Sequence, residues 1–160
     1  MNTISVYAFL FLFLVATLGA CESESTGEIA TPDNPEIWTG ATVTFEKTND
    51  ADPTLAANQD RITDKVVLTR GTDGGQLFNI QVESSSDKAE SPTGTLWALG
   101  TTADIDDLDF QNFRATIKPK SVVGKDLVLF LVEEEIYIDL KFTKWSSNKG
   151  GGFAYERASE

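Results

Sequence analysis

The sequence predicts an all-β domain, an antiparallel β-sandwich or jelly-roll-like fold with one or two short helices. Several short segments rich in β-branched and aromatic residues are separated by turns of Gly, Asp and Asn, which is typical of such folds. Residues 126–132 are almost continuously apolar, as in a strand that is buried on both faces. Residues 135–143 alternate strictly, so that one face is apolar while Tyr137 and Asp139 share the other.

The other strands follow from their local patterns. The predicted strands, in chain order, cover residues 42–45, 65–70, 76–83, 94–98, 126–132, 135–143 and 153–157. The first alternates between polar and apolar residues, and the second is β-branched and ends at Gly71. The third follows a Gly-Gly turn, and the last follows a glycine-rich turn. No internal repeat is present in the sequence.

Two segments are predicted to be helical. Residues 107–114 begin with acidic residues, which suits a helix N-terminus, and Phe110, Phe113 and Ile117 follow at i, i+3 and i+7. Residues 52–57 begin with Asp-Pro, and proline is favoured at the first position of a helix. We therefore expect one short helix and one short helical turn within the β domain.

The first twenty residues have the pattern of a secretory signal. Residues 4–18 are almost wholly apolar, but they are fewer than the roughly 20 residues that a membrane-spanning helix needs. The sequence Leu-Gly-Ala-Cys that ends at Cys21 resembles the lipobox of bacterial lipoproteins. The resemblance implies cleavage before Cys21, diacylglycerol on its thiol, and a new amino group that is open to an acyl chain such as palmitate. Secretion without a lipid and a retained membrane anchor are the alternatives.

The chain therefore divides into three parts. Residues 1–20 are the signal peptide, residues 21–36 are the lipidated cysteine with a flexible tether, and residues 37–160 are a single domain. The tether is acidic, polar and contains proline, so that it cannot form a core, and it spans roughly 20 Å. For a bacterium with two membranes, the lipoprotein resemblance also implies an outer-membrane destination, because Glu22 and not Asp follows the cysteine. We therefore expect a lipoprotein of the cell envelope that faces the periplasm or the cell surface.

Composition excludes several classes of function. The formal net charge is −12, and all charged residues follow Cys21, so that nucleic acid is not an expected partner. The chain has no histidine, which excludes Ser-His-Asp and Cys-His catalysis and imidazole metal sites. No cysteine follows Cys21, so that the folded domain depends on its core without disulfides.

The final strands carry a second resemblance. Residues 136–147 and 150–157, together with 58–64 and 97–100, are similar to a group of uncharacterised exported bacterial proteins. Lys144 stands where a small hydroxyl residue is expected in that pattern. The resemblance covers most of the domain and implies its fold, and it implies no activity and no catalytic residue.

A non-catalytic binding or surface-interaction module is the expected function, with a glycan or a protein as the ligand. Exposed aromatic side chains on a sandwich can stack on sugar rings, and polar neighbours can bind the hydroxyl groups. The candidate ligand-binding residues are Trp145, Tyr137, Asp139, Tyr155 and Arg157, with Trp38 and Trp97 as further aromatic candidates.

Two other functions remain open alongside an ion site. A carboxylate-dependent hydrolase such as a glycosidase needs two carboxyl groups about 5–10 Å apart, and Glu135 and Asp139 share one strand face. A purely structural envelope component needs no site at all. Calcium is a possible cofactor because Asp50, Asp52 and Asp60 lie in one loop and calcium takes six to eight oxygen ligands.

Overall fold

The structure is a computed structural model and describes residues 35–160. The predicted signal peptide, Cys21 and almost all of the predicted tether lie outside the described residues. The first strand begins at Glu36, one residue before the predicted start of the domain. Among residues 35–160, no helix is long and apolar enough to cross a membrane.

The prediction of an all-β domain is confirmed. Nine strands make up the domain: β1 (Glu36–Trp38), β2 (Val43–Lys47), β3 (Asp60–Arg61), β4 (Val67–Arg70), β5 (Leu77–Asn79), β6 (Thr95–Leu99), β7 (Asp126–Leu131), β8 (Ile136–Trp145) and β9 (Phe153–Arg157). The helical elements are short: one α-helix, α1 (Phe113–Thr116), and 3-10 helices at Ala56–Asn58, Thr102–Asp107 and Pro119–Ser121.

The strands form two sheets. The larger sheet has the order β2-β9-β8-β7-β6, and the smaller sheet has the order β3-β4-β5. Strand β8 is ten residues long, so that one of its edges pairs with β9 through its second half and with β1 through its first three residues. The β1–β8 pair is parallel, and all other pairs are antiparallel.

Apolar side chains cover both faces of β7, as its sequence predicts. Leu127, Leu129 and Leu131 belong to the main core, which also contains buried residues of the smaller sheet. Val128 and Phe130 point to the opposite face, where they form a second cluster with Tyr137. Strand β7 is therefore buried on two sides, because the second face is covered by the 3-10 helix and the chain that follows it.

The predicted helix over residues 107–114 is wrong in most of its length. The chain instead passes around the β6 edge of the larger sheet, where Gln111 forms a two-way backbone bridge with Trp97. Phe110 packs on Tyr137 in the second cluster, whereas Phe113 packs on Trp97 in the main core. The spacing of these phenylalanines therefore does not mark one face of a helix, because the two side chains pack on opposite sides of one sheet.

The predicted strand over residues 76–83 ends early, at Asn79. The carbonyl of Asn79 accepts hydrogen bonds from the N–H groups of Val82 and Glu83, which turns the chain. Its side-chain amide also donates to the carbonyls of Lys65 and Thr93, and this buried polar side chain therefore fixes three loops.

Farther upstream, the predicted turn after Asp52 is present. The carboxylate of Asp52 accepts hydrogen bonds from the N–H and the hydroxyl of Thr54.

Candidate functional site: a cationic cleft beside Trp145

A cleft of about 340 Å³ lies between the end of β8 and the segment that follows α1. Four cations line it: Arg70, Arg114, Lys118 and Lys120. The other lining residues are Trp145, Pro119, three serines and two glycines, and no Asp or Glu lines the cleft. We call this feature the Trp145 cleft.

The segment 113–121 places three of the cations on one wall. Arg114 lies on the single turn of α1, and the chain leaves that helix at Ile117 in an extended conformation. Lys118 is also extended, as the residue before a proline prefers, and the 3-10 helix at Pro119–Ser121 then carries Lys120. All three cationic side chains are exposed.

Arg70 forms the floor of the cleft and is 3% exposed. Its Nε donates to the carbonyl of Gly75 at 2.8 Å, and its Nη1 donates to the carbonyls of Ser146 and Gly152, both at 3.1 Å. The guanidinium carbon lies 4.1 Å from the ring centroid of Trp145, which is a cation–π contact. Burial lowers the pKa of Arg70, and the charge of Asp73 opposes that shift. Arginine nevertheless stays protonated at any physiological pH.

One side of the guanidinium is left without a protein partner. Among the described residues, Nη2 of Arg70 makes no hydrogen bond, although Nε and Nη1 make three. Nη2 is also not among the fully buried unpaired atoms, so it keeps contact with solvent. Arg70 therefore offers its free N–H donors from a position that three backbone carbonyls fix.

The glycine-rich turn between β8 and β9 sets this geometry. Gly151 has φ +71°, and a Cβ on it would collide with the carbonyl oxygen of Gly71, directly after Arg70. This close approach allows the turn to present the carbonyl of Gly152 to Arg70. The sequence predicts glycine here for its conformational freedom, and close backbone contact is a second reason that sequence alone does not show.

Trp145 separates the cleft from a second depression. Its ring packs 5.8 Å from Phe113 and 5.5 Å from Phe142, and the side chain remains partly exposed. The second depression measures about 470 Å³ and shares Trp145 and Ser146 with the cleft. Lys47 lies beneath it, and burial together with the charge of Arg70 lowers the pKa of this lysine. The two depressions make an elongated surface with Trp145 at its centre.

Of the five predicted ligand-binding residues, only Asp139 and Arg157 line one depression, of about 290 Å³, and the whole set is not assembled on one surface. Tyr155 and Arg157 are buried and bind Asp60 instead: the phenol donates to Oδ2 at 2.6 Å, and Arg157 donates from Nε at 2.7 Å and Nη2 at 3.0 Å. Burial, and secondly the charge of Asp60, raises the pKa of Tyr155 well above its usual value. Burial lowers the pKa of Arg157, but the hydrogen bonds and charge of Asp60 outweigh this, so that it is raised. This cluster joins the two sheets.

Tyr137 and Asp139 also have structural contacts. The ring of Tyr137 stacks on Phe130 with centroids 4.3 Å apart, and burial raises the pKa of its phenol. Asp139 accepts hydrogen bonds from the N–H and hydroxyl of Thr102, at 2.8 and 2.9 Å, and so anchors the 3-10 helix. Glu135 lies in the exposed β7–β8 turn with φ +56°. Because Tyr137 between them is buried, these residues do not form the open polar strand face that a hydrolase would need.

Other predicted residues are likewise placed by the core. Trp97 is completely buried, and its indole N–H donates to Thr95, while Trp38 is buried in the main core.

The suggested calcium ligands are not brought together, because Asp60 is paired with Arg157 and Asp52 caps a turn at the surface. Across residues 35–160, no group of three or more acidic or cysteine side chains is arranged as a metal site.

None of the cations of the cleft is among the residues predicted from the sequence. A signal does exist, because residues 110–125 contain four Lys or Arg residues and no acid in a chain that has 25 acids and 13 Lys and Arg. Arg70 gives no such signal, since its partners lie 5 to 82 positions away along the chain. Only the folded structure joins that segment, Arg70 and Trp145.

The architecture defines a two-sheet, sandwich-like all-β domain with a cationic cleft at one end of its longest strand. No family model matches this chain, no curated protein matches it, and no solved structure matches it.

Proposed function

We propose that this chain is a lipid-anchored protein of the bacterial cell envelope whose domain is a non-catalytic binding module for a glycan. The Trp145 cleft is the binding site, and the carrying observation is that Trp145 is partly exposed between two adjoining depressions. An aromatic ring of this kind packs against the apolar face of a sugar. The hydroxyl groups of Ser121, Ser146 and Ser147 line the same cleft and suit sugar hydroxyls.

The membrane anchor rests on the sequence of residues 1–21 and on the lone thiol at Cys21. One acyl chain gives only marginal membrane binding, so that two or three chains are needed to hold the domain. Replacing Cys21 by Ala should move the protein from the membrane fraction to the soluble fraction, whereas Ser147→Ala should leave it in membranes. Membrane retention of the Cys21→Ala protein would refute the lipid anchor.

Glycan binding is tested with the full chain, purified in detergent, on an array of neutral and charged oligosaccharides. Hits should be weakened about tenfold or more by Trp145→Ala, as expected for loss of a central aromatic contact. Because Trp145 also packs on Phe113 and Phe142, Trp145→Phe serves as the conservative variant and should keep the melting temperature and part of the affinity. An array without hits, or hits that both variants leave unchanged, would refute this function.

A further inference from the structure

We propose that the Trp145 cleft selects a negatively charged glycan, and that it binds the sulfate, phosphate or carboxylate groups carried on the sugars. This inference rests on the proposed glycan-binding function and adds the charge of the ligand. The chemistry that the cleft recognises is an oxyanion attached to a sugar ring.

Charge is distributed unevenly over the protein. The protein has a formal net charge of −12, with 25 acidic residues against 13 Lys and Arg. The Trp145 cleft nevertheless has four cations and no acid in its lining. A fifth cation borders it, because a Cβ on Gly74 would lie 3.4 Å from Cγ of Lys149. A concave surface of one sign concentrates counter-ions of the opposite sign, and this one therefore attracts anions.

The exposed cations of the cleft have no ionic partners among the described residues. Among residues 35–160, the ion pairs involve Arg61, Lys65, Lys141, Lys144 and Arg157. The cleft cations Arg114, Lys118 and Lys120 are in none of them. Several like charges around one concave space repel each other, and an anion bound between them relieves that repulsion.

Arg70 is held in a geometry that suits an oxyanion. Its buried guanidinium is held by the carbonyls of Gly75, Ser146 and Gly152 and by the ring of Trp145. The planar guanidinium of arginine matches an oxyanion, and Nη2 retains its donors. Because the side chain is already ordered, binding costs little further conformational entropy.

The surroundings favour a charged glycan over a nucleic acid. Arg70 covers one face of the Trp145 ring, so that a sugar or a base can stack only on the other face, and stacking does not discriminate between them. Nucleic acids carry closely spaced charges along their whole length, which the acidic remainder of the protein repels. A sugar chain needs only a few anionic groups at the cleft, and its hydroxyls fit the serines there.

The experiment compares ligands that share a backbone and differ in charge. The full chain in detergent is titrated with dextran and with dextran sulfate, then with polygalacturonate, a phosphorylated mannan, free inorganic sulfate and phosphate, and single-stranded DNA. A triple variant, Arg114→Gln with Lys118→Gln and Lys120→Gln, removes the exposed cations of the cleft. The matched control, Arg61→Gln with Lys65→Gln and Lys141→Gln, removes three exposed cations that lie outside it.

Dextran sulfate should bind more tightly than dextran, and the cleft triple variant should weaken that binding about tenfold to a hundredfold. The slope of log affinity against log salt should fall by up to about three in this variant, and much less in the control. The polygalacturonate, mannan and inorganic-ion arms identify which anion is preferred and whether the sugar is needed. The cleft triple variant should keep the melting temperature, because its side chains are exposed and form no ion pairs among the described residues. The control breaks three surface ion pairs and should lower the melting temperature by at most a few degrees for each pair.

Different failures have different meanings. Equal binding of dextran and dextran sulfate, or equal loss in both triple variants, would overturn the anionic preference and leave the proposed glycan-binding function standing. Single-stranded DNA that binds as tightly as dextran sulfate, or inorganic sulfate that competes at the same molar charge, would overturn the assignment to a glycan. Absence of binding to every carbohydrate would refute the inference together with the proposed function.

Discussion

Asp60 is expected to be a major determinant of the domain's stability. It lies on β3 in the smaller sheet, and its partners Tyr155 and Arg157 lie on β9 in the larger sheet. The side chains of Asp60 and Arg157 are only 8% and 7% exposed. Replacing Asp60 by Asn keeps the volume of the side chain but removes the negative charge between the two sheets.

The expected loss in the free energy of unfolding comes from the charge of Arg157, which stays buried after Asp60 is replaced. Removing one partner of a buried ion pair leaves an uncompensated charge, which costs about 3–5 kcal/mol. Because Arg157 donates two of its hydrogen bonds to Asp60, an amide cannot replace both acceptor oxygens. For a chain of this size, 1 kcal/mol corresponds to about 2–4 °C, so that the melting temperature should fall by roughly 6–20 °C.

A surface pair provides the control. Asp126 and Lys141 are also 2.7 Å apart, but their side chains are 58% and 46% exposed. Such pairs contribute about 0–1 kcal/mol, and Asp126→Asn should therefore shift the melting temperature by only a few degrees. The assay is urea unfolding followed by circular dichroism, with thermal melting alongside. A loss for Asp60→Asn within about 1 kcal/mol of the Asp126→Asn value would refute the reasoning.

Three further predictions concern pH, backbone conformation and metal. Because the folded-state pKa of Tyr155 is raised above that of the unfolded chain, its neutral phenol favours folding below pH about 10, and this stabilisation should be lost as pH rises further. Tyr155→Phe should flatten the dependence of the free energy of unfolding on alkaline pH. A pH dependence that is the same in this variant as in the parent protein would contradict the role of Tyr155. Gly151→Ala should cost at least about 1 kcal/mol more than Gly124→Ala by urea unfolding, because both glycines have positive φ but only Gly151 approaches other backbone atoms. Millimolar calcium and excess chelator should give equal melting temperatures, since Asp60 is engaged by Arg157; a rise with calcium would show a site that this geometry does not predict.

Strands were predicted well from the sequence where the pattern of apolar and polar residues in a segment comes from a single strand. Strand β7 is identified by its continuous apolar residues and is indeed buried on both faces. Strand β3 has only two residues, too few for any periodicity, and was not predicted. The helix over residues 107–114 was predicted wrongly because spacing does not show whether neighbouring phenylalanines lie on one side of a sheet or on opposite sides.

The candidate functional residues were harder to predict, because alternation does not show what covers a strand face. Tyr137 lies on the expected polar face of β8, yet the chain around Phe110 covers it. Tyr155 and Arg157 were expected to contact a ligand, but the carboxylate that binds them comes from Asp60, almost a hundred residues earlier. Trp145 is the one predicted aromatic residue that remains partly exposed at a cleft.

Arg70 connects the stability of the domain with the proposed specificity. Its three carbonyl partners come from the loop before β5 and from the two ends of the turn between β8 and β9, so that it holds the cleft together from below. The exposed cations Arg114, Lys118 and Lys120 add charge above it without comparable contacts. Substituting them should therefore change affinity while stability stays the same, whereas substituting Arg70 should change both. A net charge of −12 is compatible with an anion-binding cleft because electrostatic attraction at a concave site depends on the charges that line it, and here all of these are positive.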